Sequence, residues 1–261
     1  MKDEAPSVII RREAAVAILT LNEPRAMNAL SSGIKTGLER HLPSLLGDPQ
    51  IRVLVVTGEG RAFCAGGDVR SMDERGSVAV RARLSRSHGW LIPLIRAEKP
   101  VITAINGVAA GAGLSLALTG DFVIAARSAI FKAGFLGLGA VPDLSLAYTL
   151  PRAVGLLRAK DILLTGREIA AEEALSLGLV TRVVDQDALM PATLELAHSL
   201  AQGPTVAQGL TKQLLQRSYE YSLEGFVDFE AMAQAIAFGS EDFAEGVEAF
   251  RAKRKPSFRG R

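Results

Sequence analysis

Residues 100–120, PVITAINGVAAGAGLSLALTG, carry no charge and gather their glycines at the centre. Such a run has to be removed from water. The β-branched residues 101–105 predict a strand and Asn106-Gly107 a turn; beyond a small-residue loop the apolar pattern predicts a helix running to Asp121. A charge-free run of this length also resembles a membrane span. Thr103, Asn106, Gly107, Gly111, Gly113 and Ser115 interrupt it, however, and its grammar changes from strand to helix halfway along, as in the buried core of an α/β protein. A glycine-rich loop at the start of a helix leaves backbone N–H groups to bind an oxygen that carries or acquires negative charge. The run therefore predicts half of an oxyanion hole.

A second loop of the same kind lies about fifty residues earlier, where the apolar strand 51–57 runs into GEGRAFCAGGDVRSM. Two such strands would direct amides from both loops into one pocket at their ends. Taken alone, Gly66-Gly67-Asp68 reads as an ordinary tight turn. Neither loop has a nucleotide-binding fingerprint: Leu116 stands where a third glycine is needed, and no GK[ST] occurs. Residues 113–117, GLSLA, resemble a hydrolase nucleophile elbow without its final glycine, with His198 the one histidine that follows. A serine hydrolase stays open as an alternative.

Around these loops the pattern predicts an opening hairpin (8–10 and 16–21), a helix at 31–46 capped by Ser31 or Ser32, and a helix from 69 to about 97 broken near Gly76 and Pro93. His88 lies within that last helix. A strand at 122–126 and a short extension at 130–131 lead to a third glycine loop, AGFLGLGAVPD. Asp143 at its end has two readings, as the N-cap of the next helix or as a carboxylate in an apolar loop, where desolvation raises its pKa toward that of a general base. Helices at 161–164 and 171–177 and a strand at 179–184 follow. Beyond them come helices at 187–202, 205–218, 222–238 and 241–254, whose Phe226, Phe229, Met232 and Ile236 need cover from the core or from another subunit. The tail RAKRKPSFRGR reads as solvated and partly disordered or, if ordered, as a holder of polyphosphate.

Charge and cysteine content narrow the classes. Thirty basic against 28 acidic residues indicate no nucleic-acid partner. A single cysteine, Cys64, excludes an internal disulfide and fits a reducing compartment, and the start MKDE lacks the apolar core of a signal peptide, so the expected location is the cytoplasm. Three scattered histidines offer no zinc-ligand spacing.

AFCAGGD at 62–68, INGVAAGAG at 105–113, PRAVG at 151–155 and EGVEAFRAKRKPSF at 245–258 together resemble, in order and spacing, the enoyl-CoA hydratase/isomerase (crotonase) superfamily. The resemblance covers essentially the whole chain. It implies an α/β spiral of ββα units over 1–195 and a C-terminal helical region, 196–261, that builds a homotrimer or hexamer. It also implies an acyl-CoA substrate whose thioester carbonyl sits between the backbone N–H groups of Gly67 and Ala112, with coenzyme A as part of the substrate and no metal or redox cofactor.

Departures from the family pattern bear on the reaction. Hydratases of the family carry two glutamates that activate water, and the matching positions here hold Ser115 and Phe135. Asp143 matches an acidic position used by ring-opening isomerases of phenylacetate degradation and by the nucleophilic aspartate of 4-chlorobenzoyl-CoA dehalogenase. His88 falls where the dehalogenase keeps a water-activating histidine, but Phe135 replaces the tryptophan that touches its nucleophile. The resemblance thus favours an isomerase with Asp143 as its acid/base; a hydratase-like or dehalogenase-like enzyme and a non-catalytic acyl-CoA-binding protein remain alternatives. It implies acyl contacts from Phe135 and Leu138, a pocket contact from His88, and coenzyme A contacts from Ala26, Met27, Ala65, Asp68 and Val69, joined by Phe250 and Lys253 of a neighbouring subunit.

Overall fold

A computed structural model describes residues 5–68 and 76–261. The chain opens with the hairpin β1 (Val8–Glu13) and β2 (Val16–Leu21), turned at Ala14, and then makes a short 3-10 turn, Pro24–Ala26. Helix α1 (Ser32–Gly47) follows; the hydroxyl of Ser31 caps it by accepting from the Ile34 amide at 3.1 Å. From there the chain winds in a repeating course. Strand β3 (Val53–Gly58) leads to β4 (Ala62–Cys64) and helix α2 (Ser77–Ile95); β5 (Val101–Ile105) leads to β6 (Val108–Ala110) and the short helix α3 (Ala112–Ala117); β7 (Phe122–Ala126) leads to β8 (Ile130–Lys132). Each turn places its first strand in one sheet and its second in another.

Helices α4 (Leu146–Val154) and α5 (Leu156–Thr165), strand β9 (Glu168–Ala170), helix α6 (Ala171–Leu177) and strand β10 (Arg182–Val184) complete this part. The larger sheet has the order β1-β2-β3-β5-β7-β10, parallel except for its opening hairpin, and the smaller sheet the order β4-β6-β8-β9. The expected spiral of ββα units is present.

Both faces of the larger sheet are covered, which explains why its central strands read as continuous apolar runs. Leu19, Leu54, Val101 and Val123 point into the main core, and Val16, Val53, Ile102 and Ile124 into a second one. That second face is closed by α7 (Leu189–Ala201) through Leu189, Ala197 and Ala201. The expected division between 195 and 196 falls inside this helix, which finds its cover on the sheet of its own chain. Helices α8 (Thr205–Arg217), α9 (Leu223–Phe238) and α10 (Glu241–Arg251) end the fold and leave Leu215, Leu223, Met232, Ile236 and Phe250 exposed.

Several expectations need correction. Residues 62–64 and 108–110, read as loop, are strands whose three residues are too short to show alternation. The helix expected to reach Asp121 ends at Ala117, and of the strand expected at 179–184 only Arg182–Val184 pairs. The part of the 69–97 helix before Gly76 lies outside the described residues, and Pro93 sits within α2 without ending it.

The basic tail is held by hydrogen bonds. The carboxylate of Asp242, only 2% exposed, accepts from the amides of Arg259 at 2.6 Å and Gly260 at 2.7 Å. Glu245 accepts from the Ser257 amide and pairs with Arg254, which holds its carboxyl down at about 2, and Arg52 donates to the Phe258 carbonyl. Replacing Asp242 by Ala orphans two amides of the tail, and urea denaturation is expected to show a loss of about 2 kcal/mol. Unchanged stability would mean that the clamp holds nothing.

Candidate active site

Because β4 and β6 pair in parallel, Ala62 with Val108 and Cys64 with Ala109, the loops leaving them emerge side by side. Gly66 takes φ +103°, and a Cβ there would lie 2.7 Å from the Ala110 carbonyl oxygen and 3.4 Å from the Ala112 amide nitrogen. Gly111, at φ +52°, turns the chain into α3. Among the described residues, neither the Gly67 nor the Ala112 amide donates to a backbone carbonyl. The two donors expected of an oxyanion hole therefore share one place. Helix α3 can settle there because position 113 is glycine: a Cβ would stand 2.0 Å from the Cys64 carbonyl oxygen.

A cavity of about 40 Å³ opens beside them, lined among others by Leu30, Lys35, Asp68, Arg83, Ser87 and Asp143 together with Gly67 and Ala112. This is room for about one water molecule. Asp143 does not cap α4. The cap position belongs to Ser145, which follows Leu144 in a left-handed pair at φ 67° and 45°. The Asp143 peptide oxygen accepts from the Leu146 amide at 3.1 Å and from the Ser115 hydroxyl at 2.9 Å. Its carboxylate Oδ1 is buried and has no hydrogen-bond partner. Burial pushes the Asp143 carboxyl above the usual carboxylate range, against the charges of Arg83 and Lys35.

Fully buried Ser115, bonded to the Asp143 loop, is a clamp for that loop. His198, the histidine a hydrolase would need, lies on α7 with its Nε2 3.8 Å from Glu13. The other expected site residues divide into three groups. Ala26 and Met27 lie at the turn before α1, and the Ala65 amide donates to the Met27 carbonyl at 2.9 Å; with Asp68 these residues rim the first loop. Val69 lies outside the described residues. His88 is exposed, and its neighbour Ser87 lines the cavity instead. Phe135 packs in the core, whereas Leu138 is 64% exposed. Phe250 and Lys253 are exposed on and just after α10, and neither lines the cavity.

Sequence reasoning missed Lys35, Arg83 and Asn28. The side chain of Asn28 is fully buried in a left-handed turn, donates to the Glu59 and Ala62 carbonyls and accepts from the Glu23 amide, tying the turn before α1 to the start of β4. Asparagine tolerance of positive φ was the one available signal. A larger cavity, about 600 Å³, lies between the C-terminal half of α2, Ser145 and Tyr148 of the α4 start, and α8. Its acid, Glu220, is bonded to Tyr148, and its Arg217 to Tyr221, whereas the smaller cavity holds a buried carboxylate oxygen without a hydrogen bond. Among the described residues no cluster of three metal-ligating side chains occurs, and no helix is long and apolar enough to cross a membrane.

The profile described as "Enoyl-CoA hydratase/isomerase" matches residues 11–261. The 1,2-epoxyphenylacetyl-CoA isomerase of Escherichia coli K12 is 41% identical over 253 residues, covering 95% of this chain and 97% of that protein. The 2,3-dehydroadipyl-CoA hydratase of the same organism is 36% identical, covering 97% and 99%. The crystal structure of an enoyl-CoA hydratase from Bacillus anthracis superposes with a TM-score of 0.92 at 32% identity, covering 98% of this chain and 100% of that one. With its spiral of two sheets and its paired glycine loops, the chain belongs to the enoyl-CoA hydratase/isomerase family and has the crotonase fold.

Proposed function

We propose that the protein moves the double bond of a 3-enoyl-CoA into conjugation with its thioester, with Asp143 as the acid/base. The observation that carries this reading is the buried, unpartnered Oδ1 of Asp143 in the same cavity as the Gly67 and Ala112 amides. The thioester oxygen accepts from those two amides. The Asp143 carboxylate takes a proton from C2, and the electron pair of that C–H bond spreads over the allylic system to the thioester oxygen as a dienolate. The Asp143 carboxyl, after exchanging its proton with solvent, protonates C4 and leaves the double bond between C2 and C3. Two preorganised donors hold the dienolate oxygen more strongly than the ground-state carbonyl, which is how such a site lowers the barrier.

The raised pKa of Asp143 serves this step, because a carboxylate pushed up by burial is a stronger base than one in water. Neither metal nor redox cofactor enters it, and coenzyme A takes part only as the handle of the substrate. The likeness to a 1,2-epoxyphenylacetyl-CoA isomerase supports an isomerase. A hydratase reading, supported by the names of other relatives, has to contend with Ser115 and Phe135 where two glutamates would stand. We place the enzyme in the cytoplasm as a homotrimer or hexamer joined through the exposed apolar residues of α8 to α10.

With 3-enoyl-CoA in heavy water, deuterium is expected in the product, and Asp143→Asn is expected to abolish turnover. Ser115→Ala loses one hydrogen bond, worth about 1 kcal/mol, and is expected to retain about a fifth of the activity. A covalent ester on Asp143 or Ser115, found by mass spectrometry, would overturn the isomerase. Burial makes ionised Asp143 a cost to the fold: its stability contribution falls as pH rises from 3.8 through the raised folded value. Asp143→Asn should therefore be at least as stable as the parent at pH 7 in urea denaturation, and a clear loss would instead mark a structural carboxylate.

Gly66→Ala is expected to fold and to lose about 10²-fold in turnover, since a Cβ there forces the Ala110–Ala112 turn away from Gly67. Full activity would remove the two loops from the site. Sedimentation of the whole chain is expected to give a trimer or a multiple of it, and a well-behaved monomer would contradict the assembly.

A further inference from the structure

Lys35 lines the catalytic cavity from α1, and its place there is fixed through the backbone. Its amide donates to the Ser31 carbonyl at 3.0 Å, Ser31 caps the helix, and the adjacent Leu30 amide donates to the Gly66 carbonyl at 2.7 Å. The hydroxyl of Ser31 also donates to Glu23 Oε1 at 2.7 Å, which fixes the cap itself. Lys35 is thus registered to the loop that supplies one oxyanion donor. Asp143 is registered to the other loop through Ser115. The fold brings an ammonium and a carboxylate to one small cavity from two elements that share no other purpose there.

Among the described residues, the Lys35 ammonium has no hydrogen bond and no ion-pair partner within 4.0 Å, and the Asp143 Oδ1 is likewise without a hydrogen bond. Lys35 is half-buried; desolvation lowers its pKa, and Arg83 and Arg86 of α2 act in the same direction while Asp68 and Asp143 oppose them. The groups that act on Asp143 are Arg83 and His88 from α2 and Lys35 from α1. Arg83 has interactions of its own and Asp68 does as well.

We propose that Lys35 is a positioning residue of the reaction, whose ammonium faces the Asp143 carboxylate across the cavity and keeps it in the charged, proton-accepting form. Burial alone drives a carboxylate toward its neutral form, which cannot take a proton. A fixed positive charge offsets this without donating a hydrogen bond that would hold the base away from the substrate. The inference rests on the reading of Asp143 as the base, and it gives Lys35 a share, beside Arg83, in setting the pH range of that base.

The test compares the full-length parent with Lys35→Met, Lys35→Arg and Asp143→Asn, using the pH dependence of kcat/KM on a 3-enoyl-CoA and the ¹³C titration of the Asp143 carboxyl in the free enzyme, assigned by its absence in Asp143→Asn. Loss of an opposite charge should raise the Asp143 midpoint by about one unit in Lys35→Met. On the acid side of the profile kcat/KM should then fall about tenfold, with the deficit narrowing as pH rises. Lys35→Arg restores the charge and should return the midpoint to that of the parent. Lys35→Gln serves the same purpose if the methionine variant does not fold. An unmoved carboxyl titration in Lys35→Met or Lys35→Gln overturns the proposal. So does a rise in KM that is equal at every pH, which would make Lys35 a contact for the charged substrate. Normal turnover by Asp143→Asn would sink the base assignment instead, and the carboxyl titration would still decide whether Lys35 sets the charge of Asp143.

Discussion

Glycine at position 113 lets helix α3 rest directly on the Cys64 carbonyl, and the functional geometry depends on that contact. A Cβ would intrude to 2.0 Å, so any side chain would lift the helix from β4. With the helix lifted, the Ala112 amide would leave the neighbourhood of Gly67, and Ser115, one turn further on, could not reach the Asp143 carbonyl. One close approach of backbone to backbone thus sets both the Ala112 amide beside Gly67 and the loop that carries the carboxylate.

The spiral supplies the other half of the arrangement. Successive turns add a strand to each sheet, so β4 and β6 pair in parallel although more than forty residues separate them. Parallel neighbours release their loops at the same edge, where orphan amides collect. The larger sheet, whose strands β3 and β5 run on into β4 and β6, is buried on both faces, which makes it a rigid platform for the loops beyond them.

Much of this was legible in the sequence because it is written in strong local signals. The strands 101–105 and 122–126 were found to the residue, and of the two serines offered as the cap of α1, Ser31 and Ser32, the structure uses Ser31. Strands β4 and β6 were not legible, since three-residue strands such as AFC and VAA take their conformation from a neighbour rather than from their own pattern. Gly67, Ala112 and Asp143, singled out in the sequence by glycine loops and an isolated acid, line one cavity. Lys35 and Arg83 were hidden, for a lone basic residue on a helix reads as solvated until the partner element is known. The cap reading of Asp143 lost to a pair of left-handed residues, Leu144 and Ser145, that no propensity scale anticipates.

The amides of Gly67 and Ala112 belong to the main chain, so loss of a side chain cannot delete them, and proline alone among substitutions removes the N–H itself. Other point mutations act on them by adding bulk or by bending the loops. The carboxylate at 143, by contrast, is a side chain on a loop whose course is held by main-chain bonds to Ser115 and Leu146. Such a scaffold separates a part that is hard to lose from a part that is free to vary. A pair of main-chain donors can outlast a change at the carboxylate position, and new chemistry can be tried there without the fold having to be relearned.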